Sequence, residues 1–208
     1  MLNHYLTEMS MIALEYGATI DKYVGDAIMI FFGDPESKGI REDALACVAK
    51  AIAMRDRMVE LQRDWRESGI EKPLRCRMGI HTDYCTVDNF GSDDRMDYTI
   101  IGSGVNLASR LEGAATPGEI IISYETHAHI KDRIHCQEAG RIEVKGMAYP
   151  VATYRVMNFL DRMDTAHQPI RADLPHLQLN LEVAAMSDEE QRAAVEILSK
   201  ALKALSGD

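Results

Sequence analysis

Only two residues, Gly25 and Asp26, separate two β-rich runs, Ala18 to Val24 and Ala27 to Phe32. A gap that short fits a tight antiparallel hairpin, so Asp26 is expected at or beside a hairpin tip. Helical patterns frame the two runs. Upstream, Leu2, Tyr5, Leu6, Met9, Ala13 and Tyr16 recur at helical spacing almost from the first residue, and Gly17 supplies the stop. Downstream, Gly33-Asp34-Pro35 breaks the second run. Arg41 to Glu67 then reads as a long amphipathic helix with Leu45, Val48, Ile52, Met58, Leu61 and Trp65 on its inner face, ended by Gly69.

From Leu74 to Ile101 the period changes to two. Cys76 to Thr82, Tyr84 to Phe90 and Asp97 to Ile101 read as antiparallel strands, punctuated by Gly91-Ser92-Asp93-Asp94. Gly102 to Glu112 is a short helix entered through Gly-Ser-Gly, and Thr116-Pro117-Gly118 turns into a strand at Glu119 to Ile122. A helix at Tyr124 to Lys131 and strands near Ile134 to Gln137, Arg141 to Lys145 and Pro150 to Met157 complete the unit. Hairpins mixed with helices, rather than strict strand–helix alternation, predict an α+β sheet with helices on one face. Residues 1–157 therefore read as one domain, and the polar stretch 158–175, with Gln168-Pro169, reads as a linker. Residues 176–208 form an extension. In it, Leu177, Leu179, Leu181 and Val183 alternate with polar residues as in a half-buried strand, and Ser187-Asp188-Glu189-Glu190 is a capping box opening an amphipathic helix.

The 23 Lys+Arg and 33 Asp+Glu among 208 residues leave a net charge of −10. That balance argues against non-specific nucleic-acid or anionic-membrane binding, which needs basic residues to displace counterions. A bound nucleotide needs only a few local cations and passes this test. Cys47, Cys76, Cys85 and Cys136 form no CxxC pair and sit in apolar or strand-like runs, as reduced thiols of a cytoplasmic protein do. No apolar run approaches the roughly 18 residues of a membrane span.

Three constellations carry chemistry. Lys22 stands four residues before Asp26, whose carboxylate on a tight turn suits a hard cation, although aspartate is also common in turns for its local hydrogen bonds. In Gly102 to Glu112, a spacing of about 100° per residue puts Asn106 and Arg110 on one face and Leu107 and Leu111 on the other. An amide and a guanidinium one turn apart can address a sugar and a phosphate oxygen of one ligand; on spacing alone a solvated polar face is the simpler explanation. Val144-Lys145-Gly146 is a strand lysine before a flexible turn, and alone it says little.

Together these strings resemble the class III adenylate/guanylate cyclase catalytic domain. Gly17 to Met29 looks like its metal-bearing hairpin; Arg77 to Thr82, Asp97 to Gly102, Val105 to Glu112 and Val144 to Gly146 follow in family order, over residues 2–157. The resemblance implies a ferredoxin-like βαββαβ fold and attack of a ribose 3′-oxygen on the α-phosphorus. It implies two metal ions, Mg²⁺ or Mn²⁺, one aspartate for them being Asp26. Arg110 matches the arginine at the α-phosphate, Asn106 the asparagine that orients the ribose, and Lys145 the lysine on the terminal phosphates. Lys22 and Thr99 match the two base-selecting positions.

Adenine offers N1 as acceptor and its 6-amino group as donor, which suit a lysine and an accepting hydroxyl. Guanine reverses both, so the expected substrate is ATP, converted to 3′,5′-cyclic AMP in intracellular signalling. Thr99 is free to donate as well as accept, so most of the discrimination rests on Lys22. The family pairs domains head to tail, which implies a homodimer or pairing with another cyclase domain.

Three departures stand out. Asp83 and Asp88 replace glycines common in the family. The extension has no counterpart in it. No Phe-x-Asp-Ile-x-Gly-Phe-Thr string, which carries the family's first strand and its other metal aspartate, occurs here; Leu2 to Leu6 resembles the helix that follows it. The expected domain is therefore N-terminally incomplete. A guanylate cyclase, or an inactive nucleotide-binding or dimerisation module, is the alternative.

Overall fold

The computed structural model describes residues 1–92, 94–144, 149–162, 170–174, 176–183 and 186–206. The chain divides into two compact units, Met1–Asn158 and Phe159–Asp208.

The first unit begins with helix α1, Leu2–Glu15. Gly17, at φ 78°, turns it into strand β1, Thr19–Val24, which pairs antiparallel with β2, Ala27–Phe31. Val24 opposes Ala27 across the expected two-residue turn. Gly25 holds φ 64° while Asp26 has no positive φ, the type II′ arrangement that matches strand twist. Helix α2, Ile40–Glu67, follows. Its Met54, Met58, Leu61 and Trp65 form one buried cluster with Met9, Ala13 and Ala18, against which Ile20, Ile28 and Ile30 of the hairpin pack. The hairpin therefore has one apolar face toward α1 and α2 and leaves the other for chemistry.

A four-stranded sheet has the order Met78–Ile80 (β3), Ile120–Ser123 (β6), Val151–Phe159 (β8) and Ile134–Ile142 (β7). Strand β3 runs parallel to β6, and β6 is antiparallel to β8. Between β3 and β6 lie the hairpin of β4, Thr86–Ser92, with β5, Arg95–Ile101, and then helix α3, Ser103–Ala114. Leu107 and Leu111 of α3 bury against Ala115, Ile121 and Val151. Helix α4, Tyr124–Ile130, leaves β6 directly. The mixed α+β architecture is the one expected.

Several strand boundaries differ from expectation: β4 and β5 run Thr86–Ser92 and Arg95–Ile101, so Gly91 and Ser92, expected to break the pair, lie within it. Cys76 to Thr82 contributes only Met78–Ile80, because its partner β6 is four residues long and only three pairs form. Ile134 to Gln137 and Arg141 to Ile142 belong to one strand, since Gly140 at φ 93° keeps the chain paired where a break was expected; Thr153 Oγ1 donates to the Gly140 carbonyl at 3.1 Å.

In the second unit, Ile170–Leu174 is strand β9 rather than linker, because Leu177–Leu181, strand β10, folds back on it with Leu177 opposite Leu174. Asn158 and Phe159, also expected as linker, end β8, and 163–169 and 175 lie outside the described residues. Helix α5, Asp188–Ser206, opens with the expected capping box: Ser187 N donates to Glu190 Oε2 at 2.7 Å and Glu190 N to Ser187 Oγ at 3.3 Å.

Candidate active site

The site face of β1 depends on a bulge. Strict alternation would put Lys22 on the same face as Ile20, inside the core. The register instead shifts between Ile20 and Lys22: Ile20 opposes Ile30, and Lys22 opposes Met29. One extra residue, Asp21, is absorbed there, which moves Lys22 to the face away from α1 and α2. Lys22 is accordingly 45% exposed, whereas the Asp21 side chain is 1% exposed.

Asp21 receives two groups. Thr99, buried on β5, donates its hydroxyl to Asp21 Oδ2 at 2.9 Å, and Lys22 Nζ lies 3.8 Å from Asp21 Oδ1. Lys22 and Thr99 are thus held at one carboxylate. Asp21 had no role in the sequence reading. Its signal was present: two adjacent polar residues, Asp21 and Lys22, between Ile20 and Tyr23 break the alternation at that point.

Helix α3 follows β5 with only Gly102 between them. Asn106 and Arg110 lie exposed while Leu107 and Leu111 are buried, the division expected from their spacing. Upstream of β3, Arg77 Nε donates to Glu112 Oε1 of α3 at 2.6 Å. A Cβ on Gly104 would stand 2.8 Å from Asp83 Cβ, so the first turn of α3 seats directly on the segment after β3. Asp26 is exposed at the hairpin tip. Lys145 lies outside the described residues.

His81 adds a polar support beneath α3. Its Nδ1 is 2.7 Å from Ser123 Oγ, its Nε2 3.7 Å from Asp83 Oδ2, and burial holds its pKa below the usual histidine range despite Glu125 and Asp83 nearby. Ser123 is fully buried and accepts from Thr126 N, capping α4, so this Ser-His-Asp grouping is architectural and offers no exposed nucleophile. The two aspartates that depart from the family are satisfied locally: Asp83 accepts from Tyr84 N at 2.8 Å and Asp88 from Asn89 N at 2.7 Å. All four cysteines are free and half-buried.

Among the described residues no group of three His, Cys, Asp or Glu is placed to hold a metal. Asp26 alone fits one ligand of a hard cation that takes its remaining ligands from phosphates and water, the usual mode for Mg²⁺. Among the described residues no helix is long and apolar enough to cross a membrane.

This mixed α+β domain is of the nucleotidyl cyclase class. Residues 1–158 match the model of the adenylate and guanylate cyclase catalytic domain, and the chain belongs to that family. The crystal structure of the adenylyl cyclase CyaB from P. aeruginosa is similar at 60% identity and a TM-score of 0.74, over 76% of this chain and 80% of that one. The guanylyl cyclase Cya2 is similar at 31% identity and a TM-score of 0.69, over 86% and 83%. Adenylate cyclase 1 of Rhizobium meliloti is 29% identical over 167 residues. That match takes in 79% of this chain but 25% of the Rhizobium protein, so the chain spans about a quarter of that relative's length.

Proposed function

We propose that the chain is an adenylate cyclase catalytic domain that converts ATP to 3′,5′-cyclic AMP and pyrophosphate. The observation that carries this reading is the meeting of the Lys22 ammonium and the Thr99 hydroxyl at one buried carboxylate. A cationic donor beside a hydroxyl suits the N1 and 6-amino group of adenine, whereas guanine would set its N1–H donor against Lys22 and leave both unpaired at about 1–3 kcal/mol each. The 60% identity to a structure described as an adenylyl cyclase supports the same base.

The other residues follow from the reaction. The ribose 3′-hydroxyl gives up its proton to solvent water, its oxygen bonds to the α-phosphorus, and the bond to the bridging oxygen breaks as pyrophosphate leaves with the electron pair. Arg110, exposed on α3 with five fixed donors, stabilises the charge that builds on the α-phosphate. Asn106, one turn earlier on that face, orients the ribose so that its 3′-oxygen meets phosphorus in line. Lys145 takes the terminal phosphates. Asp26 holds the divalent cation, Mg²⁺ or Mn²⁺, which neutralises triphosphate charge when bound; two ions per site are the family pattern.

Asp26 serves one side of a site and Lys22, Thr99, Asn106 and Arg110 the other, so a head-to-tail homodimer, or a pair with another cyclase domain, completes two sites. The four free thiols fit a cytoplasmic setting. The test is cyclic AMP formation from ATP with Mg²⁺ or Mn²⁺, with GTP as competitor and Lys22→Glu alongside. Turnover of ATP that Lys22→Glu weakens is expected. Nucleotide binding without turnover reassigns the chain to a binding or dimerisation module, and an unchanged ATP/GTP preference in Lys22→Glu removes the base assignment.

A further inference from the structure

A threonine hydroxyl is an ambiguous reader. It carries one proton and two lone pairs, so by itself it accepts from the amino group of adenine as readily as it donates to the carbonyl of guanine. In this structure the ambiguity is removed. Thr99 Oγ1 spends its proton on Asp21 Oδ2 at 2.9 Å, and a carboxylate has no proton to return. Only lone pairs remain for a ligand. The other oxygen, Asp21 Oδ1, has no hydrogen-bond partner, and the nearest cation to it is Lys22 Nζ at 3.8 Å. One buried carboxylate therefore faces both groups that the proposed reading assigns to the base.

We infer that Asp21 is a specificity-determining positioning residue: by accepting the Thr99 proton and pairing with Lys22, it fixes one acceptor and one donor in the order that complements adenine. The inference rests on the reading of Lys22 and Thr99 as the base-reading pair. The β1 bulge is what makes it possible, because the extra residue lets a carboxylate lie buried toward β5 while its neighbour Lys22 stays half exposed.

Replacing Asp21 by its isosteric amide should turn the pattern over. In the Asp21→Asn variant the new side chain turns its carbonyl toward the Lys22 ammonium and its NH₂ toward Thr99. The hydroxyl must then accept from the amide and donate outward, which suits the guanine carbonyl.

The experiment measures dissociation constants of 3′-deoxy-ATP and 3′-deoxy-GTP, which lack the attacking hydroxyl and do not turn over, on the full 208-residue chain. Asp21→Asn is expected to shift the ratio of the two constants toward the guanine nucleotide by about fivefold or more, the scale of one mispaired buried group. Thr99→Val should also lower the adenine preference. In the Asp21→Asn/Thr99→Val double variant, the Asp21 change should add no further shift, a non-additivity that general destabilisation does not produce. Should the amide variant fail to fold, Asp21→Ala carries the test, since it frees the hydroxyl to donate and weakens the preference. A wild-type ratio retained in either folded Asp21 variant, while Lys22→Glu and Thr99→Val erode it, overturns this inference alone. No preference in the parent chain, or none lost in Lys22→Glu and Thr99→Val, overturns the base-pair reading beneath it.

Discussion

Gly79 of β3 lies so close to Glu112 of α3 that a Cβ on it would stand 2.1 Å from the Glu112 backbone nitrogen and 2.3 Å from the Ala108 carbonyl oxygen. Strand and helix meet backbone to backbone at this point, and Asn106 and Arg110 are carried by that helix. Neither partner atom belongs to a flexible side chain, so Gly79→Ala must push α3 off the sheet. The expected cost is about 1–3 kcal/mol of stability, with a loss of turnover because the Asn106–Arg110 face moves. Thermal unfolding and a cyclic AMP assay check both; a variant as stable and active as the parent would show that the close approach constrains nothing. The Arg77–Glu112 ion pair alongside is 43% exposed at both ends and adds little, so Arg77→Ala should leave stability within about 1 kcal/mol.

Arg110→Ala should separate chemistry from folding. The side chain is exposed, so unfolding should be unchanged, while loss of charge stabilisation at the α-phosphate should lower turnover by about 10²-fold or more. Full turnover in the variant would remove the catalytic assignment.

Acid should weaken the fold through His81. Burial first, against the opposing pull of Glu125 and Asp83, lowers its pKa, so the folded state disfavours the cation. Between the folded value and the unfolded value of about 6.5, the unfolded chain binds the extra proton. Stability is therefore complete above about 6.5 and is lost as pH falls below it. His127, stacked on Tyr154 at 3.9 Å and lowered by burial and then by Lys131, acts in the same direction. Glu8 and Glu119 are also lowered, by hydrogen bonds from Arg57 and Thr116, and their contribution is lost only in the more acidic carboxylate range. Urea titrations from pH 7 to 5 should show the decline, and His81→Gln should flatten part of it; an equal slope in parent and variant would assign the decline elsewhere.

The thiols should be sluggish. Burial pushes Cys136 up to about 11 and raises Cys47, Cys76 and Cys85 as well, which leaves little thiolate at neutral pH. A disulfide-exchange reagent should modify the native chain slowly at pH 7.5 and all four cysteines rapidly in denaturant. Reaction of the native chain at the rate of a free model thiol would contradict that placement.

Local chemistry was legible along the chain wherever it depended on neighbours in sequence. Gly25-Asp26 between two β-rich runs is sufficient for the hairpin, because a two-residue connection admits few turns and glycine takes the positive φ. The four-residue spacing of Asn106 and Arg110 is sufficient for a shared face once Leu107 and Leu111 are buried, and Ser187 with Glu190 closes its capping box within one turn. These are contacts whose partners lie within a few residues of each other.

Other features required the fold. The role of Gly79 is invisible in sequence because its partners are 29 and 33 residues away, and β9 went unread because its five alternating residues, Ile170 to Leu174, lie between Pro169 and Pro175 and their strand pairing depends on β10. The same holds for Asp21. By alternation alone it is a stray acid in a strand, and only the bulge of β1 and the approach of β5, 78 residues further on, make it the carboxylate that orients Thr99 and faces Lys22. Short-range periodicity and strings were enough for the hairpin, the helix faces and the family to which they belong, since each is written among near neighbours in the chain. Which way the Thr99 hydroxyl points its proton was settled only in three dimensions, because that depends on a buried partner brought from far along the chain.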